Sequence, residues 1–160
     1  MSTAERASEA MTMVLAGLAN DVDLDQLDRQ LAELHPKHDS FPGEVFLDLA
    51  VDALDLAGFT RDDPLDYEQL WTRLLPEIRL RGRHDHHKGQ YVLMCPPALR
   101  GGLNPDLLNE LYWWTNDDYW QFAFYALVIY TRAAAERTGT SIAEVAQHLA
   151  QLHALNLTSG

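Results

Sequence analysis

A chain of 160 residues holds one core of ordinary size, since two would leave each half with too little interior to pay the entropy of folding. With 47% hydrophobic residues and a formal net charge of -12 it is globular in composition. It is too acidic to take nucleic acid as its main partner, because such binding relies on neutralising phosphates. A single cysteine, Cys95, rules out an intramolecular disulfide and any Cys-x-x-Cys centre, and it suits a reducing compartment.

In chain order, Ser2 or Thr3 caps a helix to about Ala19 whose apolar face is Met11, Val14, Leu15 and Leu18. A second helix, about Asp23 to His35, carries the stripe Leu24, Leu27, Leu31 and Leu34, is ended by Pro36, and pairs with the first as a hairpin. A third runs from about Gly43 to Ala57, burying Phe46, Leu49, Ala50 and Ala53, with Gly58 as its C-cap. Asp63 with Pro64, or Asp66, starts a short helix through Trp71 to Leu75.

From Glu77 to Pro97 the helical period is lost, Ile78 and Leu80 alternating with Arg79 and Arg81, which predicts a small β-hairpin or an extended excursion over residues 77–97. Helix resumes at Asn104 and Pro105. Thr115 or Asn116 caps the longest helix, Asp117 to Arg137, and a Ser141 and Glu144 capping box opens the last. The whole reads as an all-α, single-domain bundle of about seven helices: acidic helices over 1–76, a basic, histidine-bearing excursion over 77–103, and aromatic-core helices over 104–157.

The charge is unevenly placed. Residues 1–68 hold 16 acids and 4 bases, whereas residues 69–160 hold 8 of each, so the first part carries the whole excess and suits a partner with a basic surface. Glu44, Asp48, Asp52 and Asp55 fall on one stripe of the third helix and are the expected contact for that partner. Nine of the 15 aromatics lie between Tyr112 and Tyr130. Since Phe122 to Tyr130 is apolar on every side, it predicts a central helix, with Trp113, Trp114 and Tyr119 at its edge as candidate anchors for a ligand or partner.

Between these regions, Arg83-His84-Asp85-His86-His87-Lys88 gathers three imidazoles and a carboxylate. In extended chain His84 and His86 point to one side and would hold a divalent metal such as zinc, with a third ligand from elsewhere. Arg79, Arg81, Arg83 and Arg100, followed by Gly101 and Gly102, form a candidate anion site. Asp21, Asp23 and Asp25 are spaced as in a calcium loop, but Gln26 and Ala32 stand where glycine and glutamate are required. No nucleophile elbow, phosphate loop or dinucleotide fingerprint occurs, and Cys95 has no polar activator beside it.

The leading expectation is therefore a noncatalytic protein-protein interaction module without cofactor, of the kind of an acidic inhibitor, an immunity-type protein or an adaptor. Two readings of other classes stay open: a metal-dependent enzyme or metal sensor at residues 84–87, and a helical bundle that binds a small ligand. Self-association into a homo-oligomer is compatible with all three. The N-terminus lacks a secretory pattern, and the longest apolar run, Phe122 to Tyr130, falls short of the ~18 residues of a spanning helix. A cytoplasmic location is expected, and ten arginines against two lysines suggest a bacterial source.

Overall fold

The computed structural model describes residues 3–34, 44–59, 66–99, 106 and 119–157. Within them lie seven helices: α1 (Thr3–Ala19), α2 (Leu24–Leu34), α3 (Glu44–Leu56), α4 (Tyr67–Leu74), α5 (Arg83–Leu99), α6 (Tyr119–Thr138) and α7 (Ile142–Leu152). No strand occurs among the described residues, so the protein is an all-α bundle. The expected helix after Pro105, and the residues Arg100, Trp113 and Trp114, lie outside the described residues.

The central pair is α3 against α6, the most extensive contact in the molecule. Every residue from Phe122 to Thr131 is buried, as an all-round apolar segment requires. Phe46 of α3 meets Phe124 of α6 with ring centroids 6.2 Å apart, a tilted contact at the middle of the core. Around this pair, α4 and α5 pack on one flank, and α7 packs on both α6 and α1.

The local signals for the helix ends hold. Asp66 is the cap of α4, its carboxylate accepting from the Gln69 amide at 3.0 Å, and Ser141 caps α7 by accepting from the Glu144 amide at 3.1 Å. Gly58 and Gly139 close α3 and α6 at positive φ, 76° and 68°, where a Cβ would be strained. Asp23 caps α2 through bonds from the Asp25 and Gln26 amides, after the turn at Asp21 that reverses the chain from α1.

Residues 77–97 are where the structure overturns the expectation of a hairpin. Arg79–Arg81 has no regular structure, and from Arg83 the chain is helical to Leu99. The Asp85 carboxylate reaches back to the Arg81 amide at 2.9 Å and the His86 amide bonds to the Gly82 carbonyl, which fixes the first turn.

The inward face of α5 is Lys88, Gly89, Val92, Leu93, Cys95 and Pro96, a true helical spacing. Its first turn is disguised because the inward residues there are a lysine and a glycine. Gly89 is needed for close approach: a Cβ at that position would lie 3.1 Å from the Trp71 ring. Pro96 and Pro97 sit inside the helix and cannot donate to the carbonyls of Val92 and Leu93. The Tyr130 hydroxyl donates to the Leu93 carbonyl instead, so a buried acceptor stripped by Pro97 is satisfied from α6.

Candidate functional site

The sequence candidates separate once they are placed. In α3, Asp52 is not free for a partner: its carboxylate bonds to His153 Nε2 at 2.6 Å, tying α3 to the C-terminal end of α7. Asp48 and Asp55 also make interactions within the chain, and the Glu44 side chain lies outside the described residues. Of the stripe, Asp52 thus bridges two helices of the bundle. His153→Ala is expected to cost about 1 kcal/mol in urea unfolding at pH 7; an unchanged midpoint would return Asp52 to the pool of partner contacts.

His84 and His86 do not form the side-by-side pair that an extended chain would give. On a helix with about 100° per residue they face nearly opposite directions, and both are exposed. Among the described residues, no three His, Cys, Asp or Glu side chains gather as a metal set. Arg83 is likewise exposed, its Nε donating to His87 Nε2 at 3.4 Å. Tyr119 opens α6, but its side chain is not among those described.

Arg79 and Arg81, by contrast, line a cleft of about 450 Å³ together with Asp25 and Asp28 of α2, Glu77, Asp85, and Gln121, Phe122 and Tyr125 of α6. Its volume lies in the ~300–1,000 Å³ range of ligand sites. Each wall has a local cause. Asp25 and Asp28 stand at i, i+3 on α2, beside the buried Leu24 and Leu27 that fix the helix's orientation. Ile78 and Leu80 pack against the core and also line the cleft, while Arg79 and Arg81 line it as exposed residues. Phe122 and Tyr125, the floor, are edge-on to each other at 6.1 Å and both packed against Trp71.

The carboxylates of the cleft are not equivalent. Glu77 is held by Arg132 at 3.0 Å, and Asp85 by the Arg81 amide. Asp28 accepts from Gln121 Nε2 at 2.9 and 3.2 Å with the Tyr125 hydroxyl nearby, and among the described residues it meets no cation. Burial raises its carboxyl above the ordinary aspartate range; the Gln121 bond opposes this, the nearby Asp25 adds to it, and the Tyr125 bond again lowers it. Burial, then the charge of Asp28, likewise pushes the Tyr125 hydroxyl up.

The groups missed by sequence reasoning are therefore Asp25, Asp28, Gln121, Phe122 and Tyr125. A faint signal existed in Gln121, which interrupts an otherwise aromatic and apolar block, and in Asp28, which sits at the edge of the leucine stripe. Compared with known protein families, with curated proteins and with solved structures, the chain matches none. What fold and site define is a class: an all-α bundle bearing a cleft lined by acids and arginines, with aromatic rings as its floor. No described helix is long and apolar enough to cross a membrane.

Proposed function

We propose that the protein is a noncatalytic binding module for a protein partner with a basic surface, and that the cleft between α2, residues 77–81 and α6 receives a cationic side chain of that partner. The observation that carries this reading is Asp28: a half-buried carboxylate beside aromatic rings, hydrogen-bonded to the neutral Gln121 amide and, among the described residues, met by no cation. An entering guanidinium or ammonium supplies the missing charge, and its aliphatic stem lies along Phe122. The acidic excess of the first 68 residues draws such a partner in and makes the association salt-sensitive.

The titration of Asp28 gives the test. Its carboxyl is raised in the free protein and a bound cation favours the ionised form, so affinity is full where Asp28 is charged. It falls as the pH drops through that raised value, earlier than an ordinary aspartate would dictate. Fluorescence anisotropy with a labelled arginine-rich peptide is expected to show this fall in the wild type. Asp28→Asn is expected to bind about tenfold more weakly at neutral pH, equivalent to about 1.4 kcal/mol, and to lose the dependence. Equal binding by the two proteins across the pH range would overturn the reading.

The same shift predicts a gain in stability. Because the folded state holds the Asp28 proton more tightly than the unfolded chain, the charged carboxylate costs stability above the folded pKa. That cost vanishes below the unfolded value. Asp28→Asn is therefore expected to melt a few degrees higher than wild type at pH 7, with the difference shrinking on acidification. A residue that weakens the fold while sharpening a cleft is the trade expected of a binding group.

A further inference from the structure

We infer that the cationic side chain received by the cleft belongs to the last residue of the partner's chain, its cation against Asp28 and Asp25 and its terminal carboxylate against Arg79 and Arg81. This rests on the reading above and specifies what the partner must present.

The cleft brings Asp25 and Asp28 of α2 together with Arg79 and Arg81, while the two further acids of its lining, Glu77 and Asp85, are already held by Arg132 and the Arg81 amide. Arg79 and Arg81 both line the cleft, and among the described residues neither guanidinium makes an ion pair. Among the same residues Asp25 on α2 makes none either, and Asp28 is met by Gln121 and Tyr125 and by no cation. A ligand with only positive charge would satisfy α2 and be repelled by two guanidiniums; a ligand with only negative charge would meet the reverse. A group with a cation at one end and a carboxylate at the other satisfies both pairs.

Arginine pairs suit this division. Guanidiniums present planar forks of donors that match a carboxylate bidentately, and here two of them line one cleft. A basic residue inside a polypeptide offers no carboxylate at that distance, so it would leave Arg79 and Arg81 facing its uncharged backbone. A basic residue at the C-terminus offers its carboxylate at one end of the stem and its cation at the other. A cleft of about 450 Å³ is of small-ligand size, suited to one such residue and not to a helix laid along it.

The test uses the full chain and four probes in isothermal titration calorimetry: one arginine-rich peptide ending in arginine as the free acid, the same peptide as its C-terminal amide, free L-arginine, and an acidic peptide of equal length. The free acid is expected to bind about tenfold or more tightly than the amide, with L-arginine weaker than the free-acid peptide and the acidic peptide silent. In the double variant Arg79→Ala with Arg81→Ala, both on the surface, the acid is expected to fall to the affinity of the amide while the amide's stays unchanged or improves. In Asp25→Asn with Asp28→Asn, both peptides weaken together.

Equal affinity of acid and amide for the wild type would overturn the chain-end inference and leave the cation reading standing. L-arginine binding as tightly as the free-acid peptide would overturn it in favour of a free amino acid as occupant. Absence of binding by both basic peptides would overturn the cation reading itself.

Discussion

Trp71→Ala is expected to lower the stability of this protein by about 3–5 kcal/mol, the range for truncating a large buried aromatic. Trp71 is only 7% exposed and sits where α4, α5 and α6 meet. Its ring stands edge-on to Tyr125 at 5.9 Å and tilted against Phe122 at 6.2 Å, while the backbone of Gly89 closes over it. Its indole N–H donates to the Ile78 carbonyl at 3.5 Å, which pins the chain ahead of Arg79.

Removing the ring therefore leaves a cavity under the floor of the cleft and frees one of its walls. Against the about 5–15 kcal/mol that separates a folded domain from its unfolded chain, this loss brings the protein near its unfolding threshold. Urea unfolding followed by circular dichroism would measure it. A cost below about 1 kcal/mol would mean that the aromatic cluster beneath the cleft is not part of the packed core. Trp71→Phe keeps much of the ring's volume and loses the indole bond, so it is expected to fall between wild type and alanine.

Tyr130→Phe is the second large effect, and the more diagnostic one, since it deletes a single oxygen. Tyr130 is 1% exposed, and its hydroxyl is the donor that reaches the Leu93 carbonyl where Pro97 offers no N–H. Leaving that buried acceptor unpaired costs about 1–3 kcal/mol. Burial also drives the Tyr130 hydroxyl well above the ordinary tyrosine range, so at neutral pH it is a neutral donor.

The explanation can be tested within a cycle. In a Pro97→Ala background the amide of residue 97 again supplies a helical donor for Leu93, so Tyr130→Phe is expected to cost clearly less there than in the wild type. An identical cost in both backgrounds would show that the hydroxyl acts through something other than the carbonyl that proline strips.

Much of the fold was legible because its signals are local. The leucine spacing of α2, the caps at Asp66 and Ser141, and the closing glycines at 58 and 139 each depend on residues within a turn or two of one another. The all-round apolar character of residues 122–130 likewise demanded a central position. α5 was not legible, because at Lys88 and Gly89 the inward residues carry no apolar signature, and the reason for the glycine is the indole of a residue in another helix. Alternation over Ile78–Arg81 predicts the start of a hairpin, where the chain makes only a short irregular connection between helices.

The same distinction governs the site. Arg79 and Arg81 stood out from the sequence as a basic pair, and the junction between acidic, basic and aromatic regions was already the place of interest. Which acids they would face was not readable, since Asp28 and Gln121 are 93 residues apart in the chain. Nor was it readable that Asp52, the middle of the expected contact stripe, is bonded to His153 on a helix 101 residues away.

By itself, then, the sequence determined an acidic, all-helical chain, most of its helix boundaries and the identity of its central helix, because periodicity and capping act between near neighbours. Only the tertiary structure decided that residues 83–99 are helical, that Asp52 of α3 is bonded to His153, and that acids, arginines and rings converge on one cleft. Those outcomes depend on side chains brought together by packing, a term in the energy that no local pattern along the chain records.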